Sequence, residues 1–93
     1  MQSIAELFPL LVKELPENRE VQEGIIRISW NFCVGEQIRK ISTPVSFDRG
    51  ILKIRVSSSQ WQSVLSSMKP EIIRKINRYL NRPLLKDIEI GIQ

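Results

Sequence analysis

Arg74, Lys75, Arg78 and Arg82 stand at i, i+1, i+4 and i+8, a spacing that gathers four cations along one side of a helix. Such a stripe does one kind of chemistry. It attracts polyanions, and each phosphate it neutralises releases a counterion, so binding weakens steeply as salt rises. Lys69, Arg39, Lys40, Lys53 and Arg55 form a second tier of the same type. The competing use of such a stripe is a solvated helix face, and charge alone does not separate the two.

Other chemistry is thinly supplied. The chain contains no histidine, the commonest general base and metal ligand. One cysteine, Cys33, makes no internal disulfide and no zinc site; its apolar neighbours point to a buried thiol in a reducing compartment. The glycines at 24, 35, 50 and 91 are scattered, so no Walker or dinucleotide loop exists. Asp87 and Glu89 share one face of an alternating segment, yet paired acids on the polar side of a strand are far more often solvated charge than a catalytic pair. No feature supports a lysine or tyrosine nucleophile. The expectation is a non-enzyme with no cofactor, no metal and no small-molecule ligand.

The elements that must carry the basic stripe fit one small domain. The 93 residues are 42% hydrophobic and 26% charged, with net charge +4 and a pI of about 9.6. The charge is uneven. Residues 1–36 hold three bases against six acids, and residues 37–93 hold eleven against four. A basic back half favours acidic partners. No leader pattern opens the chain and no apolar run reaches ~18 residues, which leads to the expectation of a soluble cytoplasmic protein without a membrane partner.

Ile4, Leu7, Phe8, Leu11, Val12 and Leu15 fall at helical spacing, so residues 1–16 read as an N-terminal helical segment, interrupted by Pro9 and ended by Pro16. Residues 18–41 read as one longer helix capped by Asn18. One stripe is Val21, Ile25, Ile28 and Phe32; a second is Ile26, Trp30, Cys33, Val34, Ile38 and Ile41. Two stripes predict burial on more than one side, with Gly35 as a close packing contact. Val45 and Phe47, then Leu52, Ile54 and Val56, alternate with polar residues. This is the period of two of a half-buried hairpin, turned at Asp48-Arg49-Gly50 through a three-residue loop with a bulge.

SSSQWQSVL, residues 57–65, raises the question of whether Trp61 is an exposed stacking ring or a core anchor. Trp61, Val64, Leu65 and Met68 lie at i, i+3, i+4 and i+7, one helix face aimed at one core, with Ser58 or Ser59 as the cap. The anchor reading is the stronger. Pro70 is placed as the first residue of a new helix, with Ile72, Ile73, Ile76 and Leu80 inward and the basic stripe outward. Pro83 forbids continuation past Asn81 or Arg82, and Ile88, Ile90 and Ile92 mark a last strand. The predicted fold class is α+β: a two-layer sandwich with a three-stranded sheet, helices on one face, in the order α-α-β-β-α-α-β.

The succession Trp30, Val34-Gly35, Ile38, Ser42-Thr43-Pro44, Gly50-x-Leu52-x-Ile54-x-Val56, Ser58-Ser59-x-Trp61, Leu65, Ile76-Asn77, Leu80 and Ile88-x-Ile90 resembles the DciA-type domain over residues 21–91. The specificity lies in order and spacing rather than in any one motif. The resemblance implies a bacterial replicative-helicase loader or operator that acts on the DnaB-type helicase and binds DNA. It also implies a fold similar to the type II K-homology domain over residues 17–93, with which the α-β-β-α-α-β order from residue 18 agrees. One departure stands out. The Gly-x-x-Gly loop by which nucleic-acid-binding K-homology domains approach phosphates is replaced here by SSMKPEI, so nucleic-acid contact is expected from side-chain charge. Many members also carry a long basic or disordered extension, and this chain has almost none, so its autonomous DNA binding is expected to be weak.

Three functions are open at this point. An adaptor docks on the helicase and helps place it on DNA. A K-homology-like RNA-binding module needs the basic surface but no helicase. A pure protein-interaction domain would use the Leu7, Leu11 and Leu15 stripe to dock on a partner or on a second copy.

Overall fold

A computed structural model describes residues 18–93; the N-terminal helix expected over residues 3–15 lies outside the described residues. Six elements follow: α1 Arg19–Cys33, α2 Glu36–Ile41, β1 Ser42–Asp48, β2 Ile51–Val56, α3 Ser59–Leu80 and β3 Asp87–Ile92. The strands form one mixed sheet in the order β1-β2-β3, antiparallel between β1 and β2 and parallel between β2 and β3. The fold class is α+β, as expected, and the element order differs from the expected one in two places.

The first difference is in the 18–41 helix, which is two helices. Asn18 caps α1 as expected, its Oδ1 accepting from the Glu20 and Val21 amides at 2.9 and 3.2 Å. Val34 and Gly35 then separate α1 from α2. Gly35 has φ +86°, and no atom lies within 4 Å of where a Cβ would stand. It is therefore a conformational hinge and not the packing contact expected: a positive φ is cheap for glycine and strained for other residues.

The second difference is at Pro70, which sits inside the continuous 22-residue α3 and starts no new helix. Proline removes the bond to the carbonyl four residues earlier. Here that carbonyl belongs to Ser66, and both Ser66 and Pro70 are exposed, so water can take the freed acceptor. Leu65, Ile72, Ile76 and Leu80 are buried along one face on either side of the proline. Packing of a shared apolar face outweighs the local break. The N-cap is Ser58, whose Oγ accepts from the Trp61 amide at 3.3 Å. At the other end Asn81 takes the left-handed conformation (φ 57°) that closes the last turn.

The hairpin also departs in detail. Asp48 pairs with Ile51, so the loop is the two residues Arg49 and Gly50, both with positive φ, as in the I′ turns that match strand twist. Gly50 takes the left-handed region as expected, and its carbonyl accepts from the Lys86 and Asp87 amides at 2.7 and 3.2 Å. The bulge lies instead between Pro44 and Ser46. It turns Val45, expected inside, outward, while Phe47 stays buried.

The core lies between the sheet and the helices. Ile25, Ile26, Trp30 and Cys33 of α1 meet Phe47, Leu52, Ile54, Val56 and Ile88 of the sheet and the α3 stripe. Lys53, Arg55 and Glu89 alternate with these on the other sheet face, uncovered among the described residues. Burial of apolar area at roughly 25 cal/mol per Å² is the main stabilising contribution.

Asn77 fixes the α3–β3 connection. Its Nδ2 donates to the Leu85 carbonyl and its Oδ1 accepts from the Leu85 amide, both at 2.8 Å, and Leu85 is 2% exposed. Asn77→Ala leaves both backbone groups of a buried residue unpaired and is expected to cost about 2–3 kcal/mol. Urea unfolding measures this directly; an unchanged midpoint would show that the clamp is not needed to seat β3.

Candidate nucleic-acid interface

Because α3 buries Ile72, Ile76 and Leu80, residues on the helix's other side must point away from the sheet. Arg74, Lys75 and Arg78 do so. They rim an open groove of about 500 Å³ whose apolar lining comes from Cys33 and Val34 at the end of α1, Ile38 of α2, and Met68 and Ile72 of α3. Glu71 is the acid at its edge. Arg74, Lys75 and Arg78 carry no ion pair among the described residues. Their charge is therefore not spent on any described acid and adds up to a local positive field.

The groove floor is electrically quiet. Burial pushes the Cys33 thiol above its ordinary range, with Lys75 pulling it partly back. The thiol is thus protonated at neutral pH and adds no negative charge beside the cations. Burial, and secondarily the nearby Cys33, also raises the Tyr79 phenol.

The remaining expected cations do not converge on this groove. Arg82 lies past the end of α3, half-buried, with its amide bonded to the Asn77 carbonyl at 3.1 Å. Lys69 is half-buried on α3 and does not line the groove. On α2, Lys40 pairs with Glu36 at 3.3 Å, and Arg39 Nη1 donates to the Asn31 carbonyl at 3.3 Å. Lys53 and Arg55 stand on the uncovered sheet face, Lys53 near Glu89 at 3.9 Å. The nine cations thus divide between at least two faces, and three of them rim one groove.

Both tryptophans were expected inside. Trp30 is fully buried, and its Nε1 donates to Ser42 Oγ at 3.0 Å, which donates to the Ile38 carbonyl at 2.6 Å. Trp61 is half-buried against the core, with part of its surface lining a shallow concavity beside Glu36, Gln37, Lys40 and Ile41. Val64 of the same expected stripe is exposed.

Phe32 departs from the buried stripe expected for it and Ile28: Phe32 is 56% exposed and Ile28 52%. Its ring stacks on Tyr79 with centroids 4.8 Å apart and planes 27° from parallel. The missed signal is geometric. Ile25 of that stripe is buried with Ile26, Trp30 and Cys33, so the edge of the covered surface runs through the stripe and leaves Ile28 and Phe32 outside.

Comparison with known proteins places the chain. The family model described as "Dna[CI] antecedent, DciA" matches residues 3–90. A UPF0232 protein of Mycobacterium ulcerans is 26% identical over 89 residues, covering 96% of this chain and 48% of the relative. A UPF0232 protein of Mycobacterium tuberculosis is 26% identical over 82 residues, covering 84% and 44%. A UPF0232 protein of Rhodococcus jostii is 27% identical over 89 residues, covering 96% and 47%. The chain thus spans about half the length of the curated relatives it matches. With a match that runs through nearly every element from α1 to β3, the chain belongs to the DciA family.

Proposed function

We propose that this chain is a non-enzymatic adaptor of bacterial DNA replication, acting in the cytoplasm, that binds the DnaB-type replicative helicase and DNA and promotes helicase loading. Family membership supports the helicase connection. The observation that carries the DNA contact is the groove of Arg74, Lys75 and Arg78, three cations without ion pairs among the described residues, set close enough to follow one phosphate backbone. Arg82, Lys69, Arg39, Lys40, Lys53 and Arg55 belong to this reading as outlying contacts that a long DNA could reach.

A type II K-homology-like assignment of the fold rests on the helix–strand–strand–helix–strand succession and the mixed three-stranded sheet. The loop between paired central helices has no counterpart, because SSMKPEI lies within continuous α3. That weakens the RNA-binding alternative, whose members grip the backbone with that loop. The Leu7, Leu11 and Leu15 stripe on which the pure interaction alternative depends lies outside the described residues.

The adaptor reading is tested by immobilising the chain, recovering the replicative helicase from a matched bacterial lysate, and then measuring helicase loading on single-stranded DNA with the chain added. Recovery and faster loading are the expected results. Recovery of defined transcripts in place of the helicase would favour the RNA-binding alternative.

A further inference from the structure

Phe32 is a large aromatic that folding leaves more than half exposed, yet it is not loose. One face of its ring is held against Tyr79 at 4.8 Å. A ring fixed from behind and open in front loses little freedom when a flat partner stacks on it.

Its surroundings say what kind of partner fits. Tyr79 lies one turn beyond Lys75 on α3 and directly after Arg78, and Cys33, next to Phe32, lines the same groove as those two cations. An aromatic face bordered by unpaired cations is the combination by which single-stranded nucleic acids are held: bases stack and phosphates are neutralised. A duplex hides its base faces and can use only the cations. An apolar protein surface would gain from Phe32 and Ile28 but would have to bury or pair Arg74, Lys75 and Arg78, against which Glu71 is the only acid among the described residues that line the groove.

We propose that Phe32, backed by Tyr79, is a base-stacking platform that selects single-stranded DNA, with Lys75 and Arg78 holding the flanking phosphates. This rests on the DNA-adaptor reading above and adds the residue that distinguishes single strands from duplex.

The test is fluorescence anisotropy at low salt with a labelled oligo(dT) of about 20 nucleotides, a duplex of equal length and an oligo(U), using the full chain. Wild type is expected to favour oligo(dT). Phe32→Leu keeps the helix and removes the π face. It should lower oligo(dT) affinity roughly tenfold and leave duplex affinity within about twofold. Phe32→Trp should retain oligo(dT) binding, and the added indole should be quenched when the oligonucleotide is bound. Should Phe32→Leu fail to fold, the quenching decides alone.

Unchanged oligo(dT) affinity in Phe32→Leu, equal loss for both DNA forms, or an indole that oligo(dT) does not quench would each overturn the platform. So would roughly tenfold tighter binding of oligo(U) than oligo(dT). A concentration-dependent dimer in sedimentation, lost in Phe32→Leu and indifferent to oligo(dT), would overturn it in favour of a second copy of the chain. If wild type binds neither DNA form, the adaptor reading itself fails. If it binds DNA while Phe32→Leu does so equally well, only the platform fails.

Discussion

Reversing Arg74 and Arg78 together to glutamate is expected to lower DNA affinity about 100-fold at roughly 50 mM monovalent salt and about tenfold at roughly 200 mM. The magnitude follows from counterion release. Each lost phosphate contact removes roughly 0.7–0.9 from the slope of log affinity against log salt, so two contacts remove about 1.6, and the deficit shrinks as salt rises. Stability should change little. Both side chains are exposed and neither forms an ion pair among the described residues, so the cost is on the order of 0.5 kcal/mol, with a small addition for an acid in the last turn of α3 at position 78. The matched comparison is Lys53→Glu with Arg55→Glu on the uncovered sheet face, expected to change affinity less than about threefold. If the sheet-face pair costs as much as the α3 pair, DNA does not use the groove.

Trp30→Ala is expected to remove about 3–5 kcal/mol of stability, which for a domain of this size is a large share of the total and lowers Tm by more than about ten degrees. Trp30 is fully buried and is the largest side chain of the core cluster that α1, the sheet and α3 share. Part of its role is polar. Its Nε1 donates to Ser42 Oγ, and Ser42 in turn donates to the Ile38 carbonyl, so one chain of hydrogen bonds ties α1, α2 and the start of β1. Trp30→Phe keeps most of the apolar volume and leaves the Ser42 oxygen without its donor, an expected cost of about 1–3 kcal/mol. Trp30→Phe combined with Ser42→Ala should be less destabilised than the sum of the single changes, because the second substitution removes the group the first left unpaired. Chemical unfolding of the four proteins checks this; strict additivity would mean that the indole and the hydroxyl do not depend on each other.

How α1 and α3 end shows which features were legible in advance. Asn18 and Ser58 were readable as caps because a cap is a bond between residues two or three apart. The alternation of Leu52, Ile54 and Val56 with Lys53 and Arg55 was readable because the pleat alternates sides whatever the strand packs against. The positive φ of Gly50 and the stop before Pro83 are equally local. From these the α+β class, the hairpin, the final strand and the outward direction of Arg74, Lys75 and Arg78 all follow.

The features that were misread share a different cause. Pro70 and Gly35 each carry a local preference, and the outcome depended on what the flanking segments could bury. Around Pro70 the flanking turns share one buried face, so the helix ran through. At Gly35 the chain had to leave the α1 direction to enter β1, and it turned there. Val45 faces outward because of a bulge that arises only when β1 is paired with β2.

Local order in the chain therefore set the caps, the strand period and the positions of the cations, since these depend on bonds and spacings within a few residues. The tertiary structure alone decided which of the apolar residues on α1 would be covered. The sheet and α3 bury Ile25, Ile26, Trp30 and Cys33, and that orientation leaves Ile28 and Phe32 outside, with Phe32 next to the basic groove.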